Sequence, residues 1–204
     1  MRKRSPSLAK TSETKRKIIV AALSEFKKFG FSQSKIAEIS VLAGVGKGTI
    51  YSYFETKEKL FEGVIDYLIN ETYHPIQSSE LKNDEKVSEF IWHKMRESIN
   101  NIESAGRADI ARLVLSEGKN FDYIRELYVT KIYEPSLDEI TKLISIAMNR
   151  NELFISYEPH LVASLILAPI WMGMIHNGVL KPFEILEMES LFKANLEMLF
   201  KQKL

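Results

Sequence analysis

Residues 34–59, SKIAEISVLAGVGKGTIYSYFETKEK, leave the chain few choices of local fold. Ile36, Ala37, Ile39 and Ala43 lie close to the i, i+3, i+7 spacing of a buried helical stripe. Gly44 breaks that helix, and Val45 is placed to plug the angle behind it. Lys47 to Phe54 form a second short helix, about 12 Å long at 1.5 Å per residue. Ile50 and Phe54 stand four apart and face inward, leaving Lys47, Thr49, Tyr51, Ser52 and Tyr53 on the open side. Lysine, hydroxyls and phenols on one open face suit phosphates and base edges. Two helices joined steeply through a short glycine turn form a helix-turn-helix, whose second helix enters a major groove.

The charge distribution points the same way. Residues 1–60 hold 13 Lys/Arg against 5 Asp/Glu, net +8, and residues 61–204 hold 15 against 22, net −7. A basic head on an acidic body is the footprint of nucleic-acid binding. Charge alone also fits a membrane surface; the helix-turn-helix pattern favours double-stranded DNA. Gly46-Lys47-Gly48-Thr49 shares letters with a phosphate-binding loop. That loop needs Gly five residues before its Gly-Lys pair and Ser or Thr after the Lys, where this chain has Val41 and Gly48.

The run through Gly30-Phe31, Ile36, Ile39, Ala43-Gly44-Val45, Lys47-Gly48-Thr49-Ile50-Tyr51, Tyr53-Phe54 and Lys57-Glu58 resembles the DNA-binding domain of the TetR/AcrR transcriptional regulators. The resemblance covers the amino-terminal third and rests on many spaced positions together. Gly46 departs from it, standing where the family usually has Ser, and Gly caps a helix nearly as well. The resemblance and the pattern together nominate Lys47, Gly48, Thr49 and Tyr51 for the groove and Ser34, Tyr53 and Lys57 for phosphates. Ser34 is also read as the N-cap of the second helix.

Around this centre, residues 1–11 read as a disordered basic arm, 12–56 as the DNA-binding head and 57–204 as a helical ligand-binding and dimerisation body. Helix 1 is expected over Glu13–Phe29, capped by Ser12 and ended by Gly30. A stripe through Leu60, Phe61, Val64, Ile65, Leu68 and Ile69 marks helix 4, from Lys57 to Tyr73, ended by His74-Pro75. Asn83 is expected to cap the next helix, and a short helix lies between Gly106 and Gly118. Residues 120–150 read as one helix kinked at Pro135 or as two. Pro159 and Pro182 are placed to open the last two helices, the first of them kinked by Pro169. No strand pattern is visible, so the fold is all-α.

The body shows no catalytic constellation. Cysteine is absent, and His74, His93, His160 and His176 are widely spaced, without HExxH or a carboxylate partner. No enzyme activity, metal or cofactor is expected. The longest apolar stretch, Leu161 to Ile175, falls short of the roughly 20 residues of a spanning helix and reads as buried. No signal peptide is visible, so a soluble, cytoplasmic protein without membrane partner is expected. Trp92, His93, Met95, Tyr123, Trp171, Met172, Met174, His176 and Asn177 mix aromatic, soft and polar groups as a small-molecule site does, and core packing explains them equally well. Residues 161–180 are apolar nearly all round and need cover that a homodimer would supply. The family resemblance implies that the last two helices form this dimer interface and that a small apolar or amphipathic inducer releases a repressor from a pseudo-palindromic operator, with helix 4 linking body to head. The alternative is an adaptor whose basic head meets protein or membrane.

Overall fold

The computed structural model describes residues 8–73, 75–153 and 155–201. Among them are ten α-helices and no strand. Residues 1–7 of the expected arm, and His74, lie outside the described residues.

Three helices make the head: α1 (Leu8–Gln33), α2 (Ile36–Ala43) and α3 (Lys47–Tyr53). α1 begins earlier than expected, so Leu8–Thr11 of the expected arm are helical. Gly30 interrupts α1 at φ 73°, ψ 179°, a conformation that L side chains rarely adopt. Ile18, Ala22 and Phe26 of α1 are buried with Ile39 and Ile50, which is why the short α2 and α3 are stable at all. The α2–α3 turn is a Schellman closure: Gly44 takes the left-handed conformation, its N–H reaches Val41 O, and Val45 N–H reaches Ser40 O. Val45 packs against the core from there.

α4 (Lys57–Thr72) leaves the head with Thr56 accepting the Lys59 N–H at 3.1 Å. Leu60, Phe61, Val64, Ile65 and Leu68 of the expected stripe are buried, and Ile69 is half-buried. Phe26, Phe31, Phe61 and Phe121 then form an aromatic joint between head and body, with centroid separations of 5.2–5.8 Å.

The body contains α5 (Val87–Asn100), α6 (Arg107–Glu117), α7 (Asp122–Tyr128), α8 (Glu134–Asn149), α9 (Pro159–Ile175) and α10 (Met188–Phe200). Asn83 does not cap α5. Its first amide, Val87 N–H, donates instead to Glu152 at 2.7 Å, from the turn after α8. α7 runs into α8 through a π segment, Val129–Tyr133, directly ahead of Pro135. The missing proline N–H is absorbed by a wider turn. Pro159 opens α9 as expected, and Pro169 is buried within it. Pro182 does not open α10, which starts at Met188. The Asn177 side chain explains this: its amide accepts from Leu186 N–H at 2.7 Å and donates to Leu186 O at 3.0 Å, holding the connection outside helical geometry.

α9 packs between α8 and α10. With its terminal π segment it spans Pro159–Leu180, 22 residues, long and apolar enough by length and composition to cross a membrane, contrary to the shorter stretch read from sequence. Only 39% of its apolar window is buried. Leu161, Leu165 and Met172 of α9 and Met198 of α10 are exposed, as is Phe183 between them.

Candidate DNA-binding head and ligand cavity

On α3, Ile50 is buried and Phe54, just past its end, closes onto the core. That rotation leaves Lys47, Gly48, Tyr51 and Ser52 exposed, with Thr49 and Tyr53 half-buried. Tyr53 leans on the core, while Tyr51 stands clear. A Cβ added at Gly48 would meet nothing within 4 Å, so no contact within the chain calls for glycine here. Glycine inside a helix costs roughly 0.5–1 kcal/mol relative to alanine.

Ser34 is not the cap of α2. Lys35 holds that position without a side-chain cap. Ser34 is 4% exposed, and its hydroxyl donates to Glu25 O at 3.1 Å and Gly30 O at 2.5 Å. Those carbonyls lie where α1 breaks at Gly30, so the hydroxyl closes the end of α1 in place of capping α2. Its side chain cannot reach a phosphate from there. Lys57 is likewise turned inward. Its ammonium donates to the carbonyls of Phe31, Ser32 and Ser34 at 2.7, 3.2 and 3.3 Å and lies 4.6 Å from the Phe31 ring centroid.

From the other side, Glu117 at the end of α6 accepts Phe31 N–H at 2.9 Å and Ser32 N–H at 2.7 Å. A Cβ on Gly30 would lie 2.0 Å from this carboxylate, a second reason for glycine there. Asp109 of α6 also pairs with Lys27 of α1 at 2.9 Å. Tyr123 does not line the body cavity described below; its hydroxyl donates to Glu62 of α4 at 2.9 Å, beside Lys59 and Lys131. The Lys59 ammonium, then the Tyr123 hydroxyl, hold Glu62 at about 2 against its ordinary 4.5.

A cavity of about 100 Å³ lies inside the body among α4, α5, α6, α8 and α9. Trp171 lines it as expected, edge-on to Tyr128 and Tyr133, and Met95 and Met174 line it too. The other nominees do not. Trp92 stacks on Phe192, with ring centroids 6.4 Å apart. His93 and Met172 are exposed. His176 and Asn177 pair with each other in the π segment after α9. Helical periodicity cannot tell which flank of an apolar helix meets a void, and these residues sit on the wrong flanks.

Sequence reasoning missed the polar part of the cavity. Tyr73 and Ser136 share a hydrogen bond of 2.8 Å. Arg107, first residue of α6, donates to Ser98 Oγ at 2.7 Å and to Ser98 O at 2.5 Å and lies over the Tyr73 ring. Burial lowers the Arg107 pKa and raises those of Tyr73 and Tyr128. The available signal was an arginine on an apolar helix face with Ile110 and Ala111, not acids, at i+3 and i+4. Among the described residues, no group of three or more His, Asp and Glu is placed to hold a metal ion.

The family model for bacterial regulatory proteins, tetR family, matches residues 18–64, which run from α1 through α2 and α3 into α4. The likeness to the tetR family is thus carried by the amino-terminal head. The chain is 39% identical over 59 residues to an uncharacterized HTH-type transcriptional regulator, YhgD of Bacillus subtilis, covering 29% of this chain and 31% of that one. It is 40% identical over 57 residues to the HTH-type transcriptional repressor BepR of Brucella suis, 28% of this chain and 27% of BepR. These matches span about a third of the relatives' own length. The whole fold is similar to that of the transcriptional regulator FadR of Bacillus subtilis, solved with stearoyl-CoA: TM-score 0.69, 20% identity, 91% of this chain and 97% of that one. The fold is also similar to that of a putative tetR-family transcriptional regulator of Mesorhizobium loti: TM-score 0.69, 20% identity, 94% of this chain and 96% of that one.

Proposed function

We propose that this chain is a ligand-responsive transcriptional repressor, which binds a pseudo-palindromic operator in the cytoplasm as a homodimer. The open face of α3 carries the reading: Lys47, Thr49 and Tyr51 surround a Gly48 whose missing side chain the chain's own packing does not explain. Backbone approach at Gly48 brings Lys47, Thr49 and Tyr51 to base edges and Tyr53 to the adjoining phosphates. Ser34 and Lys57 act as positioning residues that fix the α1–α2 connection on which α3 depends.

The second copy covers the apolar side of α9 and α10, where Leu165 is 50% and Met198 71% exposed. Twofold symmetry then requires half-sites about one helical turn apart, or a multiple of it. The body cavity is the ligand site. FadR, alike in fold, was solved with an amphipathic acyl ligand, and this cavity has apolar walls and few polar groups.

Two rods join cavity to head. α4 brings Leu68 and Ile69 to the cavity and Lys57 to the head. α6 runs from Arg107 in the cavity wall to Glu117 on the Phe31–Ser32 amides. A ligand that favours one setting of these rods shifts the spacing of the two heads, and by linkage DNA disfavours that ligand equally.

Thr49→Ala tests the base-reading role. Affinity for the operator should fall by about 1–3 kcal/mol while affinity for random duplex holds, as read by fluorescence anisotropy at fixed salt. Equal loss on both DNAs would remove Thr49 from the base-reading set.

A further inference from the structure

We infer that the body cavity is built for an apolar ligand carrying a carboxylate, with the Arg107 guanidinium as its counter-charge. This deepens the ligand-binding reading above and rests on it. Of all buried side-chain nitrogen and oxygen atoms among the described residues, Arg107 Nε alone has no hydrogen-bond partner. An unmet donor on a charged group is costly, since its lost hydration is not replaced. The guanidinium has no carboxylate to offset it: its protein partners are the Ser98 hydroxyl, the Ser98 carbonyl and the Tyr73 ring face, and no Asp or Glu lines the cavity. The nearby acids are engaged elsewhere. Glu103 and Asp109 hold Arg112, at 2.9 and 2.6 Å, and Asp109 also holds Lys27. A surface arginine needs no acid, but one half-buried in an apolar wall does.

The remainder of the lining sets the rest of the ligand. The walls are Ile, Leu, Met and aromatic side chains, which take a hydrocarbon or ring. The Tyr73 and Ser136 hydroxyls, already bonded to each other, can turn toward a second ligand oxygen. A cationic ligand would meet Arg107 as a like charge, and a neutral one would leave it unmatched.

The test is isothermal titration calorimetry of the full chain with octanoate, octanol and octylammonium, three probes of equal chain length. Wild type should bind octanoate at least about tenfold more tightly than octanol, with octylammonium weakest. Arg107→Gln should erase the preference for octanoate while leaving octanol affinity in place, and Arg107→Lys should keep part of it. A purely structural Arg107 would move all three probes together, which would overturn the proposal. Equal binding of octanoate and octanol by wild type would also overturn it, while leaving an apolar ligand site standing. Binding of none of the three would bring down both readings. Should Arg107→Gln lose its helical circular dichroism, the wild-type ranking and Arg107→Lys decide.

Discussion

At Phe31–Ser34, two side chains from distant helices close on one short piece of backbone. Lys57 takes its carbonyls and Glu117 its amides. Peptide groups outside helical hydrogen bonding need partners, and a charged partner is worth more than a neutral one. Lys57→Ala should therefore lower stability by about 1–3 kcal/mol, read by denaturant unfolding. It should also weaken binding to all DNA sequences without changing the salt slope. A slope lower by about one unit, with stability unchanged, would return Lys57 to the phosphate contacts. Some of this scale was legible. Gly30 and Gly44 stand where the chain must take positive φ, and both were read as helix ends. The inward turn of Lys57 and Ser34 was not, because a side chain's choice between a phosphate and a carbonyl of its own fold is made by tertiary packing.

Between elements, α4 and α7 are tied by Glu62, which bridges Lys59, Tyr123 and Lys131. Its folded pKa of about 2 lies below its ordinary value of 4.5, so its stabilising contribution is complete above about pH 4.5 and is lost as pH falls toward 2. Glu139, also held at about 2, titrates in the same window, so the difference between proteins isolates Glu62. Thermal melts should show wild type losing more stability between pH 5 and pH 2.5 than Glu62→Gln does, about those limits being set by the two pKa values. Parallel curves would mean that Glu62 contributes no linkage. Helix existence was readable from apolar periodicity throughout. The ends misread were those fixed by remote partners: Glu152 starts α5, and Asn177 keeps Leu186 out of α10. The link between body and head was assigned to α4 alone. α6 was missed as a second link because Glu117 reads as an ordinary helix-terminal acid until α1 is folded against it.

For the whole molecule, the basic head and acidic body were visible as a charge split, and the all-α architecture as an absence of alternation. The cavity was not, since its wall and the solid core use the same Ile, Leu and Met residues. Only Trp171, Met95 and Met174 of the nominated residues border it. The exposed apolar side of α9 and α10 and the open face of α3 stand on one chain, and the proposed function joins them: a second copy covers the first, and the pair reads DNA about a twofold axis.

Selection of bound sequences from a random duplex library by the purified full chain, at fixed near-physiological salt, tests that claim most directly. The expected result is recovery of an inverted repeat with half-sites about one helical turn apart or a multiple of it. Recovery of no preferred sequence, with binding that only weakens as salt rises, would contradict it.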